Sequence, residues 1–128
     1  MTTGRPWWSG TVVYQLIVRS YSDGNGDGIG DFKGLAARLP YLRWLGVKTL
    51  WLTPIYPSPL RDGGYDITDF KGIHPDLGDL ASFHRFLTAA HSQGMRVILD
   101  LVLNHTSDLH PWFQRARWAP KGLSLIHI

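Results

Sequence analysis

Cysteine is absent from all 128 positions. That excludes a disulfide framework and any thiolate metal site, and it fits a reducing cytoplasm without requiring one. Long apolar runs are missing too. Nothing approaches the roughly 18 apolar residues of a membrane span, and the opening MTTGRPWWSG lacks the basic and then apolar regions of a secretory signal. The chain is therefore expected in the cytoplasm, without a membrane partner. Charge of one sign is scarce: 13 Lys and Arg against 10 Asp and Glu leave a net +3. Because the basic residues are scattered rather than clustered, no nucleic acid partner is implied. What is present, 44% hydrophobic residues and six Trp with no low-complexity run, is the composition of a globular domain that buries a core.

The densest local signal is SDGNGDGIGDFKG, Ser22 to Gly34. A dinucleotide fingerprint needs glycines spaced G-x-G-x-x-G, whereas Gly24, Gly26, Gly28 and Gly30 run at intervals of two. The carboxylates among them would repel a pyrophosphate. A hard cation fits better: Asp23, Asn25 and Asp27 offer side-chain oxygens at alternate positions, Ile29 its carbonyl, and Asp31 a further carboxylate. The spacing follows an EF-hand loop as far as its ninth position. It departs at the twelfth, where Gly34 stands instead of a bidentate Glu, and no helix pattern precedes the loop. The competing reading is a solvated turn rich in Asp and Gly.

Periodicity predicts alternating strands and helices. Thr11 to Tyr21, Val47 to Tyr56 and Met95 to His105 are β-branched or apolar runs and read as strands, the third apolar enough to be covered on both faces. Between the first two, a helix is expected with Leu35, Leu39, Leu42 and Leu45 on one face, a kink at Pro40 and a stop at Gly46. Between the last two, Asp79 should cap a helix carrying Leu80, Phe83, Leu87 and Ala90, ending at Gly94. Strand, helix, strand in this rhythm means a parallel sheet, either doubly wound or part of a barrel. In both, loops after the C-terminal strand ends carry chemistry, and the unusual residues gather there: the acidic loop, then GGYD, then NHTSD. A TIM barrel takes about 250 residues, so a barrel reading gives only three of its eight units here.

The stretches VVYQLIVRSYSDGNGDGIGDFKG, WLTPIYPSP, GYDITDF, DLGDLASF and RVILDLVLNHTSDLHPWF together resemble, in order and spacing, the α-amylase family, glycoside hydrolase family thirteen. The likeness is strongest to its α-glucosidase, oligo-1,6-glucosidase and trehalose synthase branch. It implies an α/β fold, the first three βα units of a truncated TIM (β/α)8 barrel. Residues 1–118 would belong to the catalytic barrel, and 119–128 would be the start of an inserted domain or an artefactual tail, since the ending GLSLIHI departs from the family. It further implies one Ca2+ held by Asp23, Asn25, Asp27, the Ile29 carbonyl and Asp31. Tyr65 would stack on the glucose ring before the scissile bond, Asp66 would bind that sugar's hydroxyls, and His105 would hydrogen-bond the same glucose. Asp100 and Asn104 would be structural support, Asp100 needing a partner because a buried lone carboxylate is costly.

The same resemblance implies a retaining enzyme acting on small α-glucosides such as maltose through a covalent glucosyl intermediate. Its nucleophile, acid/base and transition-state-stabilising carboxylates follow later strands, so no catalytic residue is expected within this chain. Two alternatives stand beside it: a non-catalytic member of the family, and a calcium- or sugar-binding module. His74, His84, His91, His110 and His127 show no zinc-ligand spacing and carry no expected role.

Overall fold

The computed structural model describes residues 4–120. The elements are β1 (Val13–Leu16), α1 (Phe32–Trp44), β2 (Thr49–Leu52), α2 (Leu80–Ser92), β3 (Arg96–Leu99) and α3 (Pro111–Arg117), with short 3-10 turns at Val18–Ser20 and Pro75–Leu77. The strands form one parallel sheet in the order β1-β2-β3, with Tyr14 level with Leu50 and Leu50 level with Val97. Parallel neighbours need a crossover, and α1 and α2 supply the two.

Each helix forms where its sequence stops competing with it. Asp31 caps α1 by accepting the Gly34 N–H, and Asp79 forms a reciprocal capping box with Ser82 at α2. Helix α1 buries Phe32, Leu35, Leu39 and Leu42, and it continues through the exposed Pro40 to Trp44. Gly46, at φ 90°, lets the chain leave. Two expected core residues are elsewhere. Leu45 lies past the last helical turn and is half exposed; Leu80, in the first turn of α2, is 53% exposed, and Phe86 takes the buried place instead. Phe32, Phe83 and Phe86 then form an aromatic knot between the helices, with ring centroids 5.2 to 6.4 Å apart.

The strands are shorter than the apolar runs that contain them. The run Thr11–Tyr21 keeps only four residues in the ladder before turning into the Val18–Ser20 3-10 turn, and the other two runs likewise end as loops. Leu16, Leu50, Leu52, Val97 and Leu99 face α1 and α2 and join the core. Residues on the opposite pleat, Val13, Gln15 and Ile17, are exposed, Ile17 by 52%. The expectation of a third strand covered on both faces therefore fails among the described residues: Val97, Ile98 and Leu99 are only half buried, and Leu101 and Leu103 just beyond are exposed. Both helices lie on one face and the strands succeed one another in chain order. That is winding in a single direction, the arrangement of a barrel rather than of a doubly wound sheet.

Among the described residues no helix is long and apolar enough to cross a membrane. The expected change of domain at 119 falls just after α3. Residues 121–128, which include GLSLIHI, lie outside the described residues.

Candidate functional site

Asp100 leaves the end of β3 and gathers groups from β2 and from the loop that follows it. Trp51 Nε1–H donates to Asp100 Oδ1 at 2.6 Å, Tyr65 O–H to Oδ2 at 2.7 Å, and Tyr56 O–H to the Asp100 carbonyl at 3.0 Å. The carboxylate, half-buried rather than buried as expected, thus has a partner on each oxygen. Trp51 and Tyr56 lie in the WLTPIYPSP stretch, but nothing in that stretch pairs them with Asp100; the pairing of β2 with β3 and the loop after β2 bring them there. The hydrogen bond to Asp100 pushes the Tyr65 phenol up to about 12, with burial and then the charges of Asp100 and Asp62 adding to it. Burial, then the Asp100 charge, also raises Tyr56.

His105 joins the same set through the backbone. Its Nε2 stands 3.1 Å from the Tyr65 carbonyl, and its Nδ1 is 2.5 Å from Asn104 Nδ2. The ring edge remains exposed.

Asp66 belongs to a second set. Its Oδ1 accepts from Ser58 Oγ at 2.7 Å and the Asp62 N–H at 3.2 Å, and its Oδ2 accepts from the Arg61 N–H at 2.9 Å. Burial pulls its pKa up, but these bonds outweigh it and hold the carboxyl below the usual range. The structure brings Tyr65, Asp100, Asn104 and His105 into one bonded group, while the Asp66 carboxylate turns to the loop preceding it. His74 and His110, for which no role was expected, accept backbone N–H groups through Nδ1 and so begin the Pro75–Leu77 turn and α3. A proline following each is the signal that could have found them.

In the acidic loop, Asp23 accepts from the N–H groups of Asn25, Gly26 and Gly28, and the bonds from Gly26 and then Gly28 hold its carboxyl below the usual range. Asn25 Oδ1 accepts from the Asp27 N–H, and Asp27 Oδ1 from the Ile29 N–H. Asp31, besides capping α1, accepts the Gly24 N–H at 3.1 Å. Among the described residues no group of three or more His, Cys, Asp or Glu stands together as a metal cluster. The potential donors are nevertheless all oxygens, and the ion pairs among the described residues involve Asp76 and Asp108 rather than Asp23, Asp27 or Asp31. An oxygen-only set without a counter-charge suits a hard cation.

The chain matches the alpha-amylase family (alpha amylase, catalytic domain) over residues 15–122. It is 55% identical over 116 residues to the trehalose synthase of Pimelobacter sp. (strain R48), a match covering 91% of this chain and 20% of that protein. It is 54% identical over 111 residues to the alpha-glucosidase of Pediococcus pentosaceus, covering 87% and 20%. Trehalulose synthase MutB from Pseudomonas mesoacidophila MX-45 superimposes with a TM-score of 0.86 at 46% identity, over 89% of this chain and 20% of that chain. A MutB mutant has been crystallised in complex with glucose. The chain spans about a fifth of the length of the curated relatives it matches. Its fold is three βα units of a (β/α)8 barrel.

Proposed function

The chain belongs to the alpha-amylase family, and from that premise we propose that it forms the glucose-gripping part of a retaining enzyme acting on small α-glucosides, of α-glucosidase or trehalose synthase type. The observation that carries the reading is the bonded group at the C-terminal strand ends, in which Asp100 holds Tyr65 by its hydroxyl and His105 holds it by its carbonyl. An aromatic ring fixed at both its backbone and its tip offers a flat apolar face to the C–H side of a pyranose. The ionised Asp66 supplies an acceptor for its hydroxyls, and His105 steadies the ring by bonding the Tyr65 carbonyl. These residues bind and orient. The carboxylates that would form and break a glucosyl–enzyme bond are not assigned to this chain, so the 128 residues alone should not turn over a nitrophenyl α-glucoside.

The reading extends to one Ca2+ on Asp23, Asn25, Asp27, the Ile29 carbonyl and Asp31. Alternate oxygen donors support it, as does the lone pair left on carboxylate oxygens that accept a single N–H. When bound, the ion would supply positive charge among the carboxylates and tie the loop between β1 and α1. Asp31 would couple it to the helix, since the same carboxylate caps α1.

The test is a full-length barrel carrying this chain, made by joining it to the remaining four-fifths of the Pimelobacter enzyme. Asp66→Ala should lower kcat/KM on maltose by about a hundredfold, as expected for lost hydrogen bonds to a charged group. An unchanged kcat/KM would remove Asp66 from the site.

A further inference from the structure

Among the described residues, Leu60 is the one non-glycine with left-handed backbone, at φ 60°. A branched-chain residue there is held against its own preference by its surroundings. What surrounds it is a loop folded onto Asp66. Ser58 Oγ accepts the Leu60 N–H at 2.9 Å and donates to Asp66 Oδ1 at 2.7 Å, and the next two amides, of Arg61 and Asp62, also point at the carboxylate. His74 Nε2–H secures the start of the loop by donating to the Ser58 carbonyl at 3.2 Å. An oxygen of a carboxylate has about two acceptor sites. Oδ1 accepts from Ser58 and Asp62 and is full. Oδ2 accepts only from Arg61, which leaves one site.

We propose that Ser58 is a positioning residue for Asp66: by filling Oδ1 it fixes the carboxylate rotamer and leaves Oδ2 as the single acceptor for one sugar hydroxyl. This rests on the reading of Asp66 as a sugar ligand. The strained turn at Leu60 has a place in it, because φ at that residue delivers the amides of Arg61 and Asp62 to the same carboxylate that Ser58 grips. Loss of the hydroxyl leaves Asp66 held by the two amides alone, with an open acceptor site on Oδ1 as well as on Oδ2, less firmly fixed and less favoured as an anion.

In the full-length barrel carrying this chain, Ser58→Ala should raise KM for maltose about tenfold with kcat little changed. It should also move the acid limb of kcat/KM to higher pH, and Ser58→Thr, which keeps the hydroxyl, should restore both. A Ser58→Ala protein whose melting temperature falls while KM and the acid limb stay in place would show a merely structural serine and overturn the inference. Nuclear magnetic resonance titration of the Asp66 carboxyl separates the two readings. If Ser58→Ala raises that midpoint while Asp66→Ala leaves KM untouched, Ser58 governs Asp66 but the sugar role of both residues falls.

Discussion

Tyr65 binds its proton more tightly in the folded chain than in the unfolded one, because ionising it would set a phenolate against Asp100. A folded value near 12 against an ordinary value near 10 means its contribution is complete below the ordinary value. It is lost as pH rises through the interval between the two. Tyrosinate absorbance should therefore show one phenol titrating late, and Asp100→Asn should bring it back toward 10; a titration curve unaltered by that substitution would remove the Tyr65–Asp100 bond. The glycines of the acidic loop divide by cause. Gly26 and Gly28 have φ near 90°, whereas Gly34 is needed because a Cβ there would stand 2.0 Å from the Ser22 carbonyl. Gly34→Ala should cost about 1–3 kcal/mol by forcing backbone apart, measurable as a lower urea midpoint at unchanged slope. Spacing made Asp23 visible as a candidate, and the family resemblance did the same for Tyr65 and His105. It could not reveal Ser58 or Trp51, since a serine or tryptophan is significant here only through the carboxylate it meets across the fold.

Helices α1 and α2 were legible because stops and caps are local chemistry: Asp79 at the start of α2, Gly46 and Gly94 at the ends; the Asp31 cap of α1 was hidden behind that residue's place in the acidic loop. Their inward faces were less so. Leu80 and Phe86 both fit an apolar stripe, and the choice between them is made by Phe32 on the neighbouring helix, which meets Phe83 edge-on and Phe86 at a tilt. Phe86→Ala should remove the centre of that contact at a cost of about 3–5 kcal/mol. A loss below about 1 kcal/mol in chemical denaturation would show that the helices do not pack through it. Strand extents were legible only as apolar runs, because a run tells where a ladder can form and the partner's length decides where it stops.

For the molecule as a whole, the proposed Ca2+ makes a prediction that no single contact makes. An ion that binds the folded loop and not the unfolded chain stabilises by about 2.7 kcal/mol at a hundredfold excess over its dissociation constant. The full-length barrel carrying this chain should melt higher in calcium than in chelator, and Asp27→Ala should abolish the difference. Equal melting in both, with no metal found by elemental analysis, would leave the loop a polar turn. The sequence by itself determined the family, the strand–helix rhythm and the gathering of unusual residues after each strand, because those depend on composition and on order along the chain; through the family resemblance it also brought Tyr65, Asp66 and His105 forward as candidates. Tertiary structure alone decided that Tyr65, Asp100 and His105 form one bonded group while Asp66 joins Ser58. Such facts follow from which strands lie side by side and from which atoms they bring within hydrogen-bonding distance, and neither is written in the spacing of residues.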